Sequence, residues 1–283
     1  MKLYSKRLMA PALVVLFLLV QFDAPLISSA SKESKTDSRV EVTYIANEGV
    51  LLSSGDKQVL IDGLHREYKP DYLFPSPALL KKLETAESPF DQIDLVLVSH
   101  IHLDHYHPQS LGLHLKNNPK ATLVSSQQVV EGVEKEFADY PSIKSRIKTI
   151  TPSWKEKNDL NISGIDLTIL GLRHGTEKFY GIQNLGHIIG LGGKKFLHIG
   201  DAEWSVENFE KFRLAEERID IAFIPYWFLL YKPGQSIVRD YIKPRHIVAV
   251  HIPPGEAESE AKKIKEIFPE AVCFTKAMEK QLF

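Results

Sequence analysis

Two β-rich stretches, each interleaved with helices, predict an α/β sandwich: two sheets face to face with helices on the outside. Three observations carry this expectation. Short apolar runs with period-2 alternation open the chain, the span from Ile147 to Ile199 turns β-rich again, and helical spacing follows each stretch. No linker rich in Pro, Gly or Ser and no short repeat separates the halves, so residues 40–283 are read as one domain.

Taken in order, Val40, Val42 and Tyr44, then Val50 to Leu52, then Val59 to Ile61 make a small meander, with "SSGDK" as a hairpin turn. Helical spacing appears in "SPALLKKLETA", opened by Ser76 or Pro77. The buried strand "IDLVLVS" runs into "SHIHLDHYHP", and a helix over about Gln109 to Lys116 follows. "ATLVS" is a strand, and "SQQVVEGVEKEF" is a helix that Ser125 or Ser126 can cap. "HIIGLGGKKFLHIG" turns at Gly192 and Gly193. A helix near Val206 to Leu214, the strand "IDIAFIP", a short helix, the strand "HIVAVHI" and the helix "EAESEAKKIKEIF" complete the order.

The 283 residues are 43% hydrophobic and 25% charged, an ordinary globular balance, and the net charge of −1 gives no bulk reason to expect nucleic acid or an anionic membrane as partner. Lys2, Lys6 and Arg7 precede the apolar run from Met9 to Val20, and Ser28, Ser29 and Ala30 follow it. That is the pattern of a secretory signal peptide cleaved after Ala30; a spanning helix needs roughly 20 apolar residues, and this run falls short. The expectation is a secreted or periplasmic protein with no stable membrane anchor after cleavage. Residues 31–39 are then expected to form a flexible mature N-terminus. Cleavage removes three bases and one acid, which moves the charge from −1 to −3. The single cysteine, Cys273, cannot pair within the chain and reads as a small hydrophobe of the run "AVCFT".

The chemistry lies in HxHxDH: His100, His102, Asp104 and His105. In an extended loop residues two apart point the same way, so His100 and His102 can hold one cation while Asp104 and His105 turn toward a second. These nitrogen and oxygen donors suit zinc, manganese or iron. This motif after an apolar strand resembles the signature of the metallo-β-lactamase-fold hydrolase superfamily. Further motifs extend the likeness along the chain: His174 in "LTILGLRHG", Asp201 in "KFLHIGD", His251 in "HIVAVHIPP", and Asp62 in "KQVLIDG".

The resemblance implies a four-layer αββα sandwich of two mixed sheets. It also implies that His100, His102 and His174 hold one metal, that Asp104, His105 and His251 hold the other, and that Asp201 bridges them with Asp62 in support. Two divalent ions, with zinc first and manganese or iron as alternatives, would share a hydroxide that acts as nucleophile, and Asp104 or Asp201 would handle the proton.

His187, thirteen positions after His174, is read as a strand side chain facing the site or the core, and the choice of third-motif ligand between the two stays open. His107 is a candidate substrate contact just past the metal loop. His65, His114 and His246 read as loop, helix-surface or outer-layer residues, and His198 as a packing residue. In "IPYWFLLY", Tyr226 and Trp227 line either a pocket or the core. Neither "KPGQS" nor "GLGGKK" resembles a phosphate-cradling loop.

True β-lactamases of the family lack the bridging aspartate, whereas Asp201 is present here. The likeness therefore leans to the lactonase-like and N-acylphosphatidylethanolamine phospholipase D-like branches. The expected function is an exported dinuclear hydrolase cleaving an ester, lactone or phosphodiester of a small molecule. The alternatives are an iron-dependent oxidoreductase resembling persulfide dioxygenases, and a metal-binding protein without turnover.

Overall fold

A computed structural model describes residues 39–283; the signal-peptide reading and the polar stretch through residue 38 lie outside the described residues. The first sheet contains β1 (Glu41–Ala46), β2 (Gly49–Ser54), β3 (Lys57–Ile61), β4 (Leu95–Val98), β5 (Thr122–Ser125) and β6 (Ile147–Thr149). The second contains β7 (Lys157–Ile162), β8 (Ile165–Arg173), β9 (Gln183–Leu191), β10 (Lys194–His198), β11 (Ile221–Pro225), β12 (His246–Val250) and β13 (Val272–Cys273). A last strand, β14 (Lys280–Leu282), returns to pair with β1, giving the orders β14-β1-β2-β3-β4-β5-β6 and β13-β12-β11-β10-β9-β8-β7. Each sheet is antiparallel in its meander half and parallel in the other, so both are mixed.

Alternation along the strands sorts side chains into layers. Ile61, Leu95, Leu97, Ile169, Ile189, Phe196, Phe223 and Val248 fill the space between the sheets. Their neighbours Leu60, Val96 and Val98 face outward to helices α1 (Pro77–Glu84), α2 (Pro108–Asn117) and α3 (Gln127–Glu136). On the other outer face Leu197, Ala222 and Ile224 pack with Phe209, Phe228 and Ile264. The result is the expected helix–sheet–sheet–helix order. Ser76 caps α1 by accepting from the Leu79 amide, and Ser126 caps α3 by accepting from Val129. Gly192 and Gly193 both adopt positive φ, as a tight β9–β10 turn requires.

Three expectations need correction. The helix expected near Val206 to Leu214 is broken into Val206–Phe209, Glu210–Phe212 and Leu214–Glu217, because Arg213 takes a left-handed backbone with φ of 52°. His114, placed on a helix surface from sequence, is buried under α1, where Nδ1–H donates to the Leu83 carbonyl at 2.6 Å. Burial lowers its pKa to about 4. Cys273 is half-buried rather than enclosed, and burial pushes its thiol up to about 11, so it is a poor nucleophile. Among the described residues no helix is long and apolar enough to cross a membrane.

Candidate metal centre

Strand ends and their loops supply every converging donor. β4 ends at Val98, and the next residue, Ser99, ties the two sheets together: its carbonyl accepts from the Leu185 amide of β9 at 2.9 Å. The loop from His100 to His105 lies between β4 and α2, His174 follows β8, Asp201 follows β10, and His251 follows β12. Gly200 sets the turn before Asp201: its φ is 53°, and a Cβ there would lie 2.5 Å from Asn184 Oδ1. His251 also has a positive φ, 61°, held by its amide donating to the Asn47 carbonyl at 2.9 Å.

One group of donors is His100, His102, His174 and Asp201. His100 Nε2 lies 3.0 Å from His102 Nδ1 and 3.2 Å from His174 Nε2, and the last two are 3.1 Å apart. A tetrahedral cation with nitrogen bonds of about 2.0–2.1 Å spaces its ligands by about 3.3 Å, so this triangle has cation dimensions. Asp201 Oδ2 stands 3.5 Å from His174 and 3.8 Å from His100. The second group is Asp104, His105 and His251. Asp104 Oδ2 lies 3.3 Å from His251 Nε2 and 3.5 Å from His105 Nε2, while Asp201 Oδ1 is 3.6 and 3.5 Å from the same two nitrogens. The two oxygens of Asp201 thus face different groups.

The supporting hydrogen bonds decide which nitrogens are free. The Ser99 hydroxyl has one proton and gives it to Asp62 Oδ2 at 2.5 Å, so at 2.9 Å it accepts from His100 Nδ1–H. His105 Nδ1–H donates to the same Asp62 oxygen at 2.8 Å, and Asp62 Oδ1 accepts the Ser99 amide at 2.7 Å. His100 and His105 therefore each turn Nε2 into the centre, whereas His102 presents Nδ1. His105 Nε2, His251 Nε2 and Asp201 Oδ1 are buried with no hydrogen-bond partner. Orphaned acceptors facing one another are costly unless a cation satisfies them, so the donor set fits a metal.

Without a cation the surplus of carboxylates draws a proton to His105: burial opposes charge there, but Asp201, Asp104 and Asp62 push its pKa well above the ordinary range, and a bound cation would displace that proton. Burial likewise opposes the carboxylates, yet His105 and His251 hold Asp104 at about 2, and His251 and His105 keep Asp201 well below its usual value. Burial keeps His100 and His102 neutral, which a ligand requires.

Several contributors escaped the sequence reading. Asn47 Nδ2 donates to both the carbonyl and Oδ2 of Asp104 at 3.1 Å. Glu48 is fully buried with neither carboxyl oxygen hydrogen-bonded, and burial and Asp201 raise its pKa well above normal. Phe179 lies against His174 and His102 at 5.0 and 5.6 Å between ring centroids. Tyr72 flanks His251 at 5.2 Å, beside Trp227, a residue the sequence did single out, at 4.9 Å. Burial and the Asp104 carboxylate push the Tyr72 phenol up to about 12.

Other candidates fall elsewhere. His187 sits on β9 between the sheets, fully buried beside His198, and contributes to neither donor group. His107 heads α2, its amide bonded to the Leu64 carbonyl, and also stands outside both groups. The aromatic run divides: Phe228 is core, Trp227 borders His251, and Tyr226 packs on Trp227 at 5.5 Å. His65 is buried, with its ring facing the carbonyls of Asp62 and Leu73.

Residues 59–275 match the model of the beta-lactamase superfamily domain. A UPF0173 metal-dependent hydrolase of Thermus thermophilus is 26% identical over 237 residues, which covers 78% of this chain and 89% of that protein. Igni18, a metallo hydrolase from Ignicoccus hospitalis, superimposes with a TM-score of 0.58 at 16% identity over 87% of this chain and 98% of its own. YhfI from Bacillus subtilis, a metallo-β-lactamase fold protein, gives 0.58 at 18% over 87% and 99%. The chain belongs to the beta-lactamase superfamily and has the metallo-β-lactamase fold.

Proposed function

We propose that the centre holds two divalent cations, zinc in preference to manganese or iron, and hydrolyses an ester, lactone or phosphodiester bond of a small molecule. The enzyme class is metal-dependent hydrolase, as the family match and the relative's name support. The observation that carries the dinuclear reading is Asp201, whose Oδ2 faces His100 and His174 while Oδ1 faces His105 and His251. His100, His102 and His174 would hold one cation, and Asp104, His105 and His251 the other. Bound there, the cations would supply an activated water and Lewis-acid polarisation of the substrate oxygen.

The chain's own groups do the rest. Asp62 and Ser99 fix the imidazole tautomers, and Asn47 holds Asp104 with Oδ2 toward His251 and His105. Asp104, ionised at neutral pH, can take a proton on its carboxylate and return it to a leaving oxygen. Phe179, Tyr72 and Trp227 wall the ligands and favour an apolar substrate portion. The basic residues ahead of the Met9–Val20 apolar run support export to the periplasm or medium.

Metal analysis of the protein purified without chelator, alongside hydrolysis of bis(p-nitrophenyl) phosphate and a simple lactone, tests the reading. Two zinc or manganese ions with turnover is the expected result. One iron without hydrolysis overturns it in favour of oxidation.

A further inference from the structure

Arg173 immediately precedes His174, yet its side chain belongs to a different space. A cavity of about 520 Å³ is bordered by Ser153, Trp154, Arg173, Tyr180 and Gln183, and among the described residues lining it Arg173 is the one charged group. The guanidinium carbon lies 3.3 Å from the Trp154 ring centroid and 4.4 Å from that of Tyr180. Among the described residues the guanidinium makes no hydrogen bond and has no carboxylate within ion-pair distance. Glu203, which could have neutralised it, is engaged by the Tyr180 hydroxyl at 2.8 Å and the Ser205 hydroxyl at 3.2 Å.

The frame around this cation is built rather than incidental. Asn208, fully buried, accepts at one oxygen from both the Trp154 indole N–H, at 3.1 Å, and the Arg173 amide, at 2.9 Å. Its own amide donates to the carbonyls of Arg173 and Glu203. Ring and cation are therefore indexed to the same buried side chain. Stacking on aromatic faces removes water from the flat sides of a guanidinium but leaves its in-plane N–H fork free. That fork matches the paired oxygens of a carboxylate or phosphate.

We propose that this cavity is an anion-binding site, separate from the metal centre, that takes a carboxylate- or phosphate-bearing ligand on Arg173. The anion is either the charged tail of the substrate or a small effector acting through the residue next to His174.

Intrinsic tryptophan fluorescence tests the site, with inorganic phosphate and benzoate as probes, on the metal-loaded protein and again after chelation. Chelation removes phosphate binding at metals. The expected result is a saturable change that survives chelation, disappears as a fluorescence signal in Trp154→Phe while calorimetry still detects binding, and needs at least tenfold more anion in Arg173→Gln. No saturable binding after chelation, or a folded Arg173→Gln that binds like wild type, overturns the proposal. Should Arg173→Gln fail to fold, wild-type crystals soaked in phosphate decide: density on the guanidinium supports the site, and density at the metals alone refutes it. With bis(p-nitrophenyl) phosphate as substrate, an Arg173-dependent rise in KM under benzoate assigns the anion to the substrate's tail, and an Arg173-dependent change in kcat alone assigns it to an effector.

Discussion

Two groups of buried histidines share this interior, and only one of them converges. His187 and His198 face each other as a directly paired cross-strand couple of β9 and β10, with ring centroids 6.3 Å apart. His100, His102 and His174 bring their nitrogens to within 3.0–3.2 Å of each other. His187, His198, His100 and His174 are buried and His102 is half-buried, and both groups leave ring nitrogens without partners. The difference is backbone shape. Neighbouring strands project paired side chains side by side, so their tips stay parallel. Loops at strand ends bend, and the bend aims donors from four chain segments at one point. Burial with an orphaned nitrogen is thus insufficient evidence for a ligand; convergence with carboxylates is the added requirement.

Breaking the convergent group should have the largest effect. His102→Ala removes one corner of the nitrogen triangle while leaving the sheets untouched. We expect loss of metal from that half and a fall in kcat of about 10³-fold or more, with an unchanged circular dichroism spectrum. Metal content and turnover retained together would refute the ligand assignment. A smaller loss should follow at one remove. Asp62→Asn deprives His105 and Ser99 of their charged acceptor, and such supporting positions cost about 10–100-fold in metal affinity or activity. Asn47→Ala frees Asp104 from its two hydrogen bonds and should fall at the low end of that range. Chelator competition reads both, and an affinity equal to wild type would show that the tautomer and the Asp104 position are set by something else.

The legible part of this molecule is periodic or local. The unbroken apolar runs "LVLV" and "IAFIP" mark strands buried on both faces, and HxHxDH packs four donors into six residues. The illegible part depends on distance. Asn47 reaches Asp104 across 57 positions, and nothing in "IANEG" announces it. Tyr72 and Phe179 meet His251 and His174 only because their loops fold over the strand ends. β14 is three exposed residues, "KQL", too short to show alternation, and it becomes a strand by pairing with β1. His114 has an ordinary helical context, and its burial follows from α2 packing beneath α1. His174 and His187 differ in the same way: each follows or sits in an apolar strand, and the distinction is that one lies past the strand end.

The smallest effects should come from the pair that does not converge, and they sharpen the contrast. Burial, then the neighbouring His198, depresses His187 to about 3 from an ordinary value of 6.5. A histidine held neutral in the fold but protonated when unfolded supports the native state fully above pH 6.5 and loses that support as pH falls toward 3. One such group steepens the decline by about 1.4 kcal/mol per pH unit within that window. His187→Leu should remove this slope, measured as the difference between wild-type and variant urea unfolding at pH 7 and pH 5. At pH 7 the variant should match or slightly exceed wild type, because neither ring nitrogen of His187 has a hydrogen bond to lose. Metal content should stay at the wild-type value. If His187→Leu instead sheds metal, the inner pair is coupled to the centre through His198 and Glu48, which lie 3.4 Å apart, and convergence alone would no longer define the site's boundary.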